Sequence, residues 1–223
     1  CRGGASAGIN ATADARDDAV RCFVEEVGPM VADGRFLTDA GRGLSDDDLA
    51  PLRAVDPRPA TYWEQHAALS ALGVAVSVEA SGGLDGVTVA VEGLDRAGPE
   101  LLGALVERGA QVVSVGSAAG TATEPAAFDR ERLLEAGLAG GDPVAALTAR
   151  PEPVSAVLAA PVDVLVVGSR PGILDHATAS AVRARRVVPH GPIPVTARAL
   201  AVLQRAGAAV LPDFVTTAGP LFA

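Results

Sequence analysis

The sequence contains no lysine, since all 18 of its basic side chains are arginines, and Asn10 is its only asparagine. Acidic residues number 27, and the resulting net charge of −9 excludes a broad surface for nucleic acid or anionic membrane. No apolar run reaches the roughly 18–20 residues of a transmembrane helix. The two cysteines, Cys1 and Cys22, make no disulfide framework, which indicates a cytoplasmic protein. The three histidines lack the spacing of metal ligands, so we predict no metal site.

Hydrophobic residues make up 49% of the 223 positions, enough for a sizeable core. From residue 86 onward strand and helix patterns alternate, as in a parallel sheet. The predicted strands are 87–91, 111–115, 162–167, 186–188 and 208–211, and the predicted helices are 98–108, 129–136, 174–183 and 196–206. Residues 137–160 give no clear pattern. We predict a doubly wound, Rossmann-like α/β domain over 61–223, with helices on both faces of the sheet.

Residues 1–60 are expected to be a small remnant of an N-terminal substrate or dimerisation domain. Apolar residues at three-to-four spacing predict an amphipathic helix over 13–31, with Cys22 as a small buried residue. A short helix is predicted over 46–52 and a long apolar one over 61–80. The chain opens on a glycine-rich loop, which indicates either a fragment or a precursor cleaved before Cys1.

Residues 86–98 combine a β-branched strand, a glycine turn and the start of a helix. Such a unit binds dinucleotides, because the turn brings backbone N–H groups to the pyrophosphate and the helix N-terminus adds partial positive charge. The fingerprint Gly-x-Gly-x-x-Gly is matched by Gly-Leu-Asp-Arg-Ala-Gly from Gly93 to Gly98. Asp95 therefore replaces the middle glycine, where a carboxylate would crowd and repel the pyrophosphate.

Five strings, in this order along the chain, resemble segments of the Glu/Leu/Phe/Val amino-acid dehydrogenases. They are Gly3-Gly4-Ala5-Ser6-Ala7-Gly8-Ile9, Gly34-Arg35-Phe36-Leu37, the run from Leu84 to Gly93, Val162-Asp163-Val164-Leu165, and the run from Val210 to Phe214 with Ala218-Gly219. The resemblance implies the same fold, NAD(P) as cofactor, hydride transfer at an amino-acid carbon, and assembly into oligomers.

The resemblance also indicates which residue stands at each functional position. The catalytic lysine is replaced by Ser6, and the proton-shuttling aspartate by Gly41, with Asp39 nearby. The acid that binds the adenine-ribose hydroxyls is replaced by Ser117. Two loop asparagines are replaced by Ile193 and Thr217, and a threonine is replaced by Ser70. The degenerate cofactor site then consists of Gly93, Leu94, Gly98 and Ser117. Because hydride transfer needs acid–base groups and a bound nicotinamide, these changes favour a repurposed homologue or pseudoenzyme.

Two alternatives stay open. In one, Cys1 is a processed N-terminal nucleophile whose α-amine serves as base, in a cysteine hydrolase or acyl-transfer enzyme acting on an amide or amino-acid derivative. In the other, residual NAD(P)-dependent amino-acid oxidation remains.

Of the histidines, His190 is the best site candidate because it follows a strand end.

The expected partners follow from the resemblance. An upstream N-terminal segment, covalent or as a companion chain, is expected, together with homo- or hetero-oligomerisation. A small amino-acid-like ligand is compatible with the family, whereas nucleic acid and membrane are not expected partners.

Overall fold

The computed structural model describes residues 7–38, 44, 47–139 and 141–222, apart from the side chains of Asp95, Arg96 and Phe222. The chain divides into two compact units, Cys1–Ala60 and Thr61–Ala223. Cys1, Ser6 and Gly41 lie outside the described residues, so the predicted nucleophile and the two replaced catalytic positions stay predictions.

The first unit is built on helix α1 (Arg16–Ala32), which confirms the helix predicted over 13–31. A second helix, α2 (Ala50–Arg53), is shorter than predicted. Its buried hydrophobic cluster consists of Val27, Val31, Leu49 and Leu52. The prediction for Cys22 is wrong: this residue lies on an exposed face of α1.

Polar contacts also hold the first unit together. The Arg58 guanidinium donates to the Asp56 carboxylate at 2.6 Å and to the Thr38 carbonyl at 2.8 Å. Burial favours the protonated form of Asp56, but the hydrogen bonds and the charge of Arg58 outweigh it and lower the pKa of this carboxyl.

The rest of the chain alternates helices and strands. The helices are α3 (Ala60–Ala80), α4 (Leu94–Val106), α5 (Arg130–Leu138), α6 (Pro143–Leu147), α7 (His176–Ala179), α8 (Ala197–Arg205) and α9 (Asp213–Thr216). The strands are β1 (Thr88–Glu92), β2 (Gln111–Ser117), β3 (Gly120–Thr123), β4 (Val164–Val167), β5 (Arg186–Pro189) and β6 (Ala209–Val210). All five predicted strands are confirmed, with ends that differ by a few residues.

The six strands form one sheet in the order β3-β2-β1-β4-β5-β6, parallel except for β3. Successive residues of the central strands enter different core clusters. Val89 and Val91 pack into one cluster, and Ala90 between them packs into the other. Since side chains alternate across a strand, both faces of the sheet are covered, which confirms the doubly wound α/β fold.

Two elements differ from the sequence-based expectation. Strand β3 was not predicted; it pairs antiparallel with the end of β2, and its residues are small and lack a strong strand pattern. Helix α7 ends at Ala179, four residues before the predicted end, and residues 180–185 form the connection to β5 instead.

The amino-terminal edge of the sheet is fixed by polar side chains. Asp163, just before β4, accepts the hydroxyl of Thr88 at 2.7 Å and its backbone N–H at 3.2 Å. These two hydrogen bonds lower the pKa of Asp163. At the start of β5 the Arg186 guanidinium donates to the carbonyls of Val78 and Gly83, which anchors the end of α3. Arg186 is therefore a structural residue.

Candidate functional site

The carboxyl ends of β1, β2 and β4 meet at the point where the order of the strands reverses. Strand β1 is followed by β2 on one side, and the chain later returns to add β4 on the other side. Ligands of open α/β sheets bind at such a switch point. We name this place the β1 crevice and define it by Glu92, Gly93, Ser117 and Gly168.

Gly93 makes the turn at the end of β1. It has a left-handed backbone with φ of 77°. Its N–H donates to the Gly116 carbonyl at 3.0 Å. A Cβ on Gly93 would lie 2.6 Å from Ser169 Cβ and 2.8 Å from Ser169 Cα, so only glycine fits. Leu94 follows with its side chain 2% exposed in the core, which leaves only its backbone to face a ligand.

The helix after the turn is interrupted at Gly98, which has φ of 75° and ψ of 171°. Pro99 explains the break, because proline disfavours helical geometry in the residue before it. The N–H of Ala97 closes one separate turn by donating to the Gly93 carbonyl at 2.9 Å. The continuous part of α4 therefore begins at Pro99, a residue without an N–H to donate. The helix predicted over 98–108 is confirmed by this continuous part, which ends at Val106.

Glu92 is a buried carboxylate in the crevice, only 4% exposed. Its Oε2 accepts the backbone N–H groups of Gly168 at 3.0 Å and Ser169 at 3.1 Å. Its carbonyl accepts the Nε2–H of His190 at 2.7 Å. The carboxylate thus joins the ends of β1 and β4, and His190 lies at a strand end as expected but bonds to backbone.

Ser117 ends β2 and is 4% exposed. Its hydroxyl reaches both carboxylate oxygens of Asp142, at 2.7 and 2.8 Å. Asp142 is also the N-cap of α6, where its Oδ1 accepts the N–H groups of Val144 and Ala145. The acid that the resemblance places at the end of β2 is therefore absent from the strand, but a carboxylate from 25 residues later lies against the same position.

The two positions expected to carry loop asparagines meet at Asp213. Its carboxylate accepts the N–H of Ile193 at 2.7 Å, and its carbonyl accepts the hydroxyl of Thr217 at 2.8 Å. Ile193 has φ of 47° and is 66% exposed. A left-handed backbone suits asparagine and strains a β-branched residue. Ile193 therefore holds a backbone conformation that suits asparagine better than isoleucine.

Replacing Ile193 by asparagine is expected to raise the free energy of unfolding by about 0.5–1 kcal/mol, because it relieves the left-handed strain of a β-branched residue. Since the side chain is largely exposed, little apolar burial is lost. Urea denaturation measures the change. Ile193→Val keeps the branched Cβ and serves as the control with no gain; an equal gain in both variants contradicts the explanation.

The sequence alone pointed to Gly93, Leu94, Gly98, Ser117 and His190, whose role in binding stays a prediction, and gave no signal for Glu92 or Asp142. Within the described ranges, no three His, Cys, Asp or Glu side chains are grouped as metal ligands. Among those same residues, no helix has the length and apolar character needed to cross a bilayer.

The strand order, the glycine turn and the switch point define a doubly wound α/β domain of the dinucleotide-binding type. The sequence model of the Glutamate/Leucine/Phenylalanine/Valine dehydrogenases matches residues 67–222. Glutamate dehydrogenase of Aeropyrum pernix is 30% identical over 152 residues, which are 66% of this chain and 36% of that protein. The chain thus belongs to the Glu/Leu/Phe/Val dehydrogenase family.

Solved structures agree on the fold. The hetero-hexameric glutamate dehydrogenase of Thermus thermophilus in its Leu-bound form is similar with a TM-score of 0.70 at 23% identity, over 95% of this chain and 55% of that one. L-Tryptophan dehydrogenase of Nostoc punctiforme is similar with a TM-score of 0.59 at 22% identity, over 95% and 57%. This chain therefore spans between about a third and somewhat over half of these relatives.

Proposed function

We propose that this chain is a non-catalytic member of the dehydrogenase family, which serves as a scaffold or binding subunit in an oligomer. The observation that carries the proposal is the absence of lysine from all 223 residues, with Ser6 at the position of the catalytic lysine. A serine hydroxyl is neutral at pH 7, so it cannot replace an ammonium group that polarises the substrate carbon and activates water.

The described residues add support at two other positions. Ile193 holds a strained left-handed backbone where the family has an asparagine, so an amide that could bind a ligand is missing from that loop. The Gly98–Pro99 break removes an N–H from the start of the helix that would face a pyrophosphate. Each of these changes affects a different part of the chemistry, while the buried framework of the sheet stays intact.

The expected assembly is an oligomer of copies of this chain or of this chain with a companion. The similar Thermus protein is hetero-hexameric, so a protein of this fold can combine different chains in one assembly. A subunit without its own catalytic lysine fits such an arrangement. Light scattering of the purified full-length protein, alone and co-expressed with catalytically intact homologues from the same genome, measures the assembly.

The catalytic part of the proposal is tested by assaying the full-length protein with 2-oxo acids, ammonium and NADH or NADPH. We expect turnover at least about 10³-fold below that of an intact glutamate dehydrogenase assayed in parallel, because positioned acid–base groups contribute about 10²–10⁴-fold. Ser6→Lys alone is expected to stay inactive, since other positions have changed too. Saturable oxidation of either cofactor by the unmodified protein would overturn the proposal, and activity restored by Ser6→Lys would limit the loss to one residue.

A further inference from the structure

A cavity of about 410 Å³ lies at the amino-terminal edge of the sheet, the edge opposite the β1 crevice. We name it the edge cavity. Its walls come from the turn that ends α3, the residues before β1, the residue before β4 and the start of β5. The lining residues are Gly82, Gly86, Val87, Asp163, Arg185 and Arg186. Two guanidinium groups and one carboxylate therefore border the same space.

The Asp163 carboxylate is held in one orientation by Thr88. Its Oδ2 accepts the Thr88 hydroxyl at 2.7 Å and the Thr88 N–H at 3.2 Å, and Thr88 Oγ1 accepts the Asp163 N–H at 3.0 Å. The hydrogen bonds from Thr88 lower the pKa of Asp163, and the charges of Arg185 and Arg186 lower it further, so the carboxyl is ionised at neutral pH. Its Oδ1 accepts no hydrogen bond from the described residues. This oxygen can therefore accept one from a ligand in the edge cavity.

Both guanidinium groups keep N–H donors that no described residue uses. Arg186 donates through Nη1 to the carbonyls of Val78 and Gly83, at 3.1 and 2.9 Å, which leaves its Nε and Nη2. Arg185 is exposed, and no described residue accepts a hydrogen bond from its side chain. Neither group forms an ion pair with a described carboxylate, although both charges reach Asp163. The N–H donors that remain are available to an anion.

The acidic residues nearest in the sequence do not neutralise these charges. Glu79 pairs with Arg108 at 3.5 Å, and Asp85 Oδ1 lies against Gly109 on the far side of its turn. Two positive groups and one negative group thus leave the edge cavity positive, in a chain whose net charge is −9. Since guanidinium groups bind oxyanions through parallel N–H donors, an oxyanion is the ligand that this charge favours.

The carboxylate adds a second requirement. An oxyanion that lies between the guanidinium groups also comes close to Asp163 Oδ1, and two ionised oxygens side by side repel each other. An oxygen that carries a proton converts this repulsion into a hydrogen bond to a charged acceptor, which is among the stronger kinds. The ligand therefore needs a negative charge and an O–H group on the same small ion.

We infer that the edge cavity binds a small protonated oxyanion, with inorganic phosphate as the ion that fits it: Arg185 and Arg186 bind the charged oxygens, and Asp163 accepts the P–OH. The volume leaves room for water around such an ion. The inference goes beyond the proposed function, because the edge cavity is formed at the other end of the sheet and requires neither Ser6 nor a nicotinamide.

Calorimetric titration of the full-length protein at about pH 7.5 and constant ionic strength tests the inference with inorganic phosphate, sulfate and glycerol 3-phosphate. Inorganic phosphate still carries a proton under these conditions. Sulfate carries none, and a phosphate monoester, whose second pKa is about 6, has lost it. We expect saturable binding of inorganic phosphate and at least about tenfold weaker binding of the other two ions. No saturable binding of phosphate, or equal binding of all three ions, overturns the inference.

Arg185→Gln tests the positive side of the site. It removes one charge and no described hydrogen bond, so the fold is kept, and we expect phosphate to bind about tenfold more weakly or worse. Arg183→Gln is the matched control, since Arg183 is exposed in the same connection, two residues earlier, and does not line the edge cavity. We expect it to leave the affinity unchanged. Equal affinities in the two variants contradict the inference, because the attraction would then be general and not local.

Asp163→Asn tests the recognition of the proton. The amide keeps an oxygen that can accept from Thr88 and adds an N–H₂ group that can donate to an unprotonated oxyanion. We expect sulfate to bind to this variant within about threefold of phosphate. If the variant folds and still binds phosphate about tenfold more tightly than sulfate, Asp163 does not select the ion and the inference is wrong. If the variant does not fold, the comparison of phosphate with sulfate on the unmodified protein decides.

Discussion

Replacing Gly93 by alanine is expected to lower the free energy of unfolding by about 2–5 kcal/mol. About 1–2 kcal/mol comes from placing a Cβ on a left-handed backbone with φ of 77°. A further 1–3 kcal/mol or so comes from overpacking, because the new methyl group would lie 2.8 Å from the Cα and N of Ser169. These contacts are with backbone, so no side-chain rotation relieves them. Urea denaturation of the purified variant measures the loss.

Gly86→Ala is the matched control for that prediction. Gly86 also has a left-handed backbone, with φ of 69°, but a Cβ there would meet no atom within 4 Å. We expect a loss of about 1 kcal/mol or less, since only the backbone strain remains and alanine restricts the unfolded chain. If the two variants lose equal stability, the close approach of β1 to Ser169 contributes nothing.

The sheet was predictable because its central strands are buried on both faces. Apolar runs such as Val89–Val91 and Val164–Val167 predict buried strands where they alternate with helical patterns along the chain. The glycine turn was predictable for a similar local reason, since a strand that ends in Gly93 needs a residue that tolerates a left-handed backbone. Each of these signals is contained within about a dozen consecutive residues.

The crevice was less predictable because its polar contacts join distant segments. Asp142 followed by Pro143 is a local signal for the start of a helix. The signal is weak here because residues 137–160 show no clear hydrophobic pattern around it. That this same carboxylate reaches Ser117 follows only from the hairpin of β2 and β3 and the return of the chain through α5. Strand β3, which contributes to this path, has small residues and no strong strand pattern of its own.

Two residues with a left-handed backbone differ in how well they suit it. At Gly93 the close approach to Ser169 requires glycine, and glycine is present. At Ile193, which is 66% exposed, a β-branched residue holds a conformation that strains it. The residue type therefore matches the backbone where the sheet is packed and does not match it in the exposed loop.

The Glu92 carboxylate joins the ends of β1 and β4, and replacing it by alanine is expected to cost about 2–4 kcal/mol. The variant leaves the N–H groups of Gly168 and Ser169 without their acceptor, and each unsatisfied buried group costs about 1–3 kcal/mol. Water entering the space vacated by the side chain would reduce this cost, which is why we expect a value below the sum of the upper limits.

Glu92→Gln removes the charge but keeps the volume of the side chain and its hydrogen-bond acceptor. Its amide oxygen can still accept both N–H groups, since one carbonyl oxygen has two lone pairs, so we expect a loss of about 1 kcal/mol for the weaker, uncharged acceptor. Equilibrium unfolding in urea measures both variants, and hydrogen exchange at Gly168 and Ser169 localises the effect. A loss below about 1 kcal/mol in Glu92→Ala would mean that the ends of β1 and β4 are joined by backbone pairing alone, because the carboxylate would then add nothing measurable.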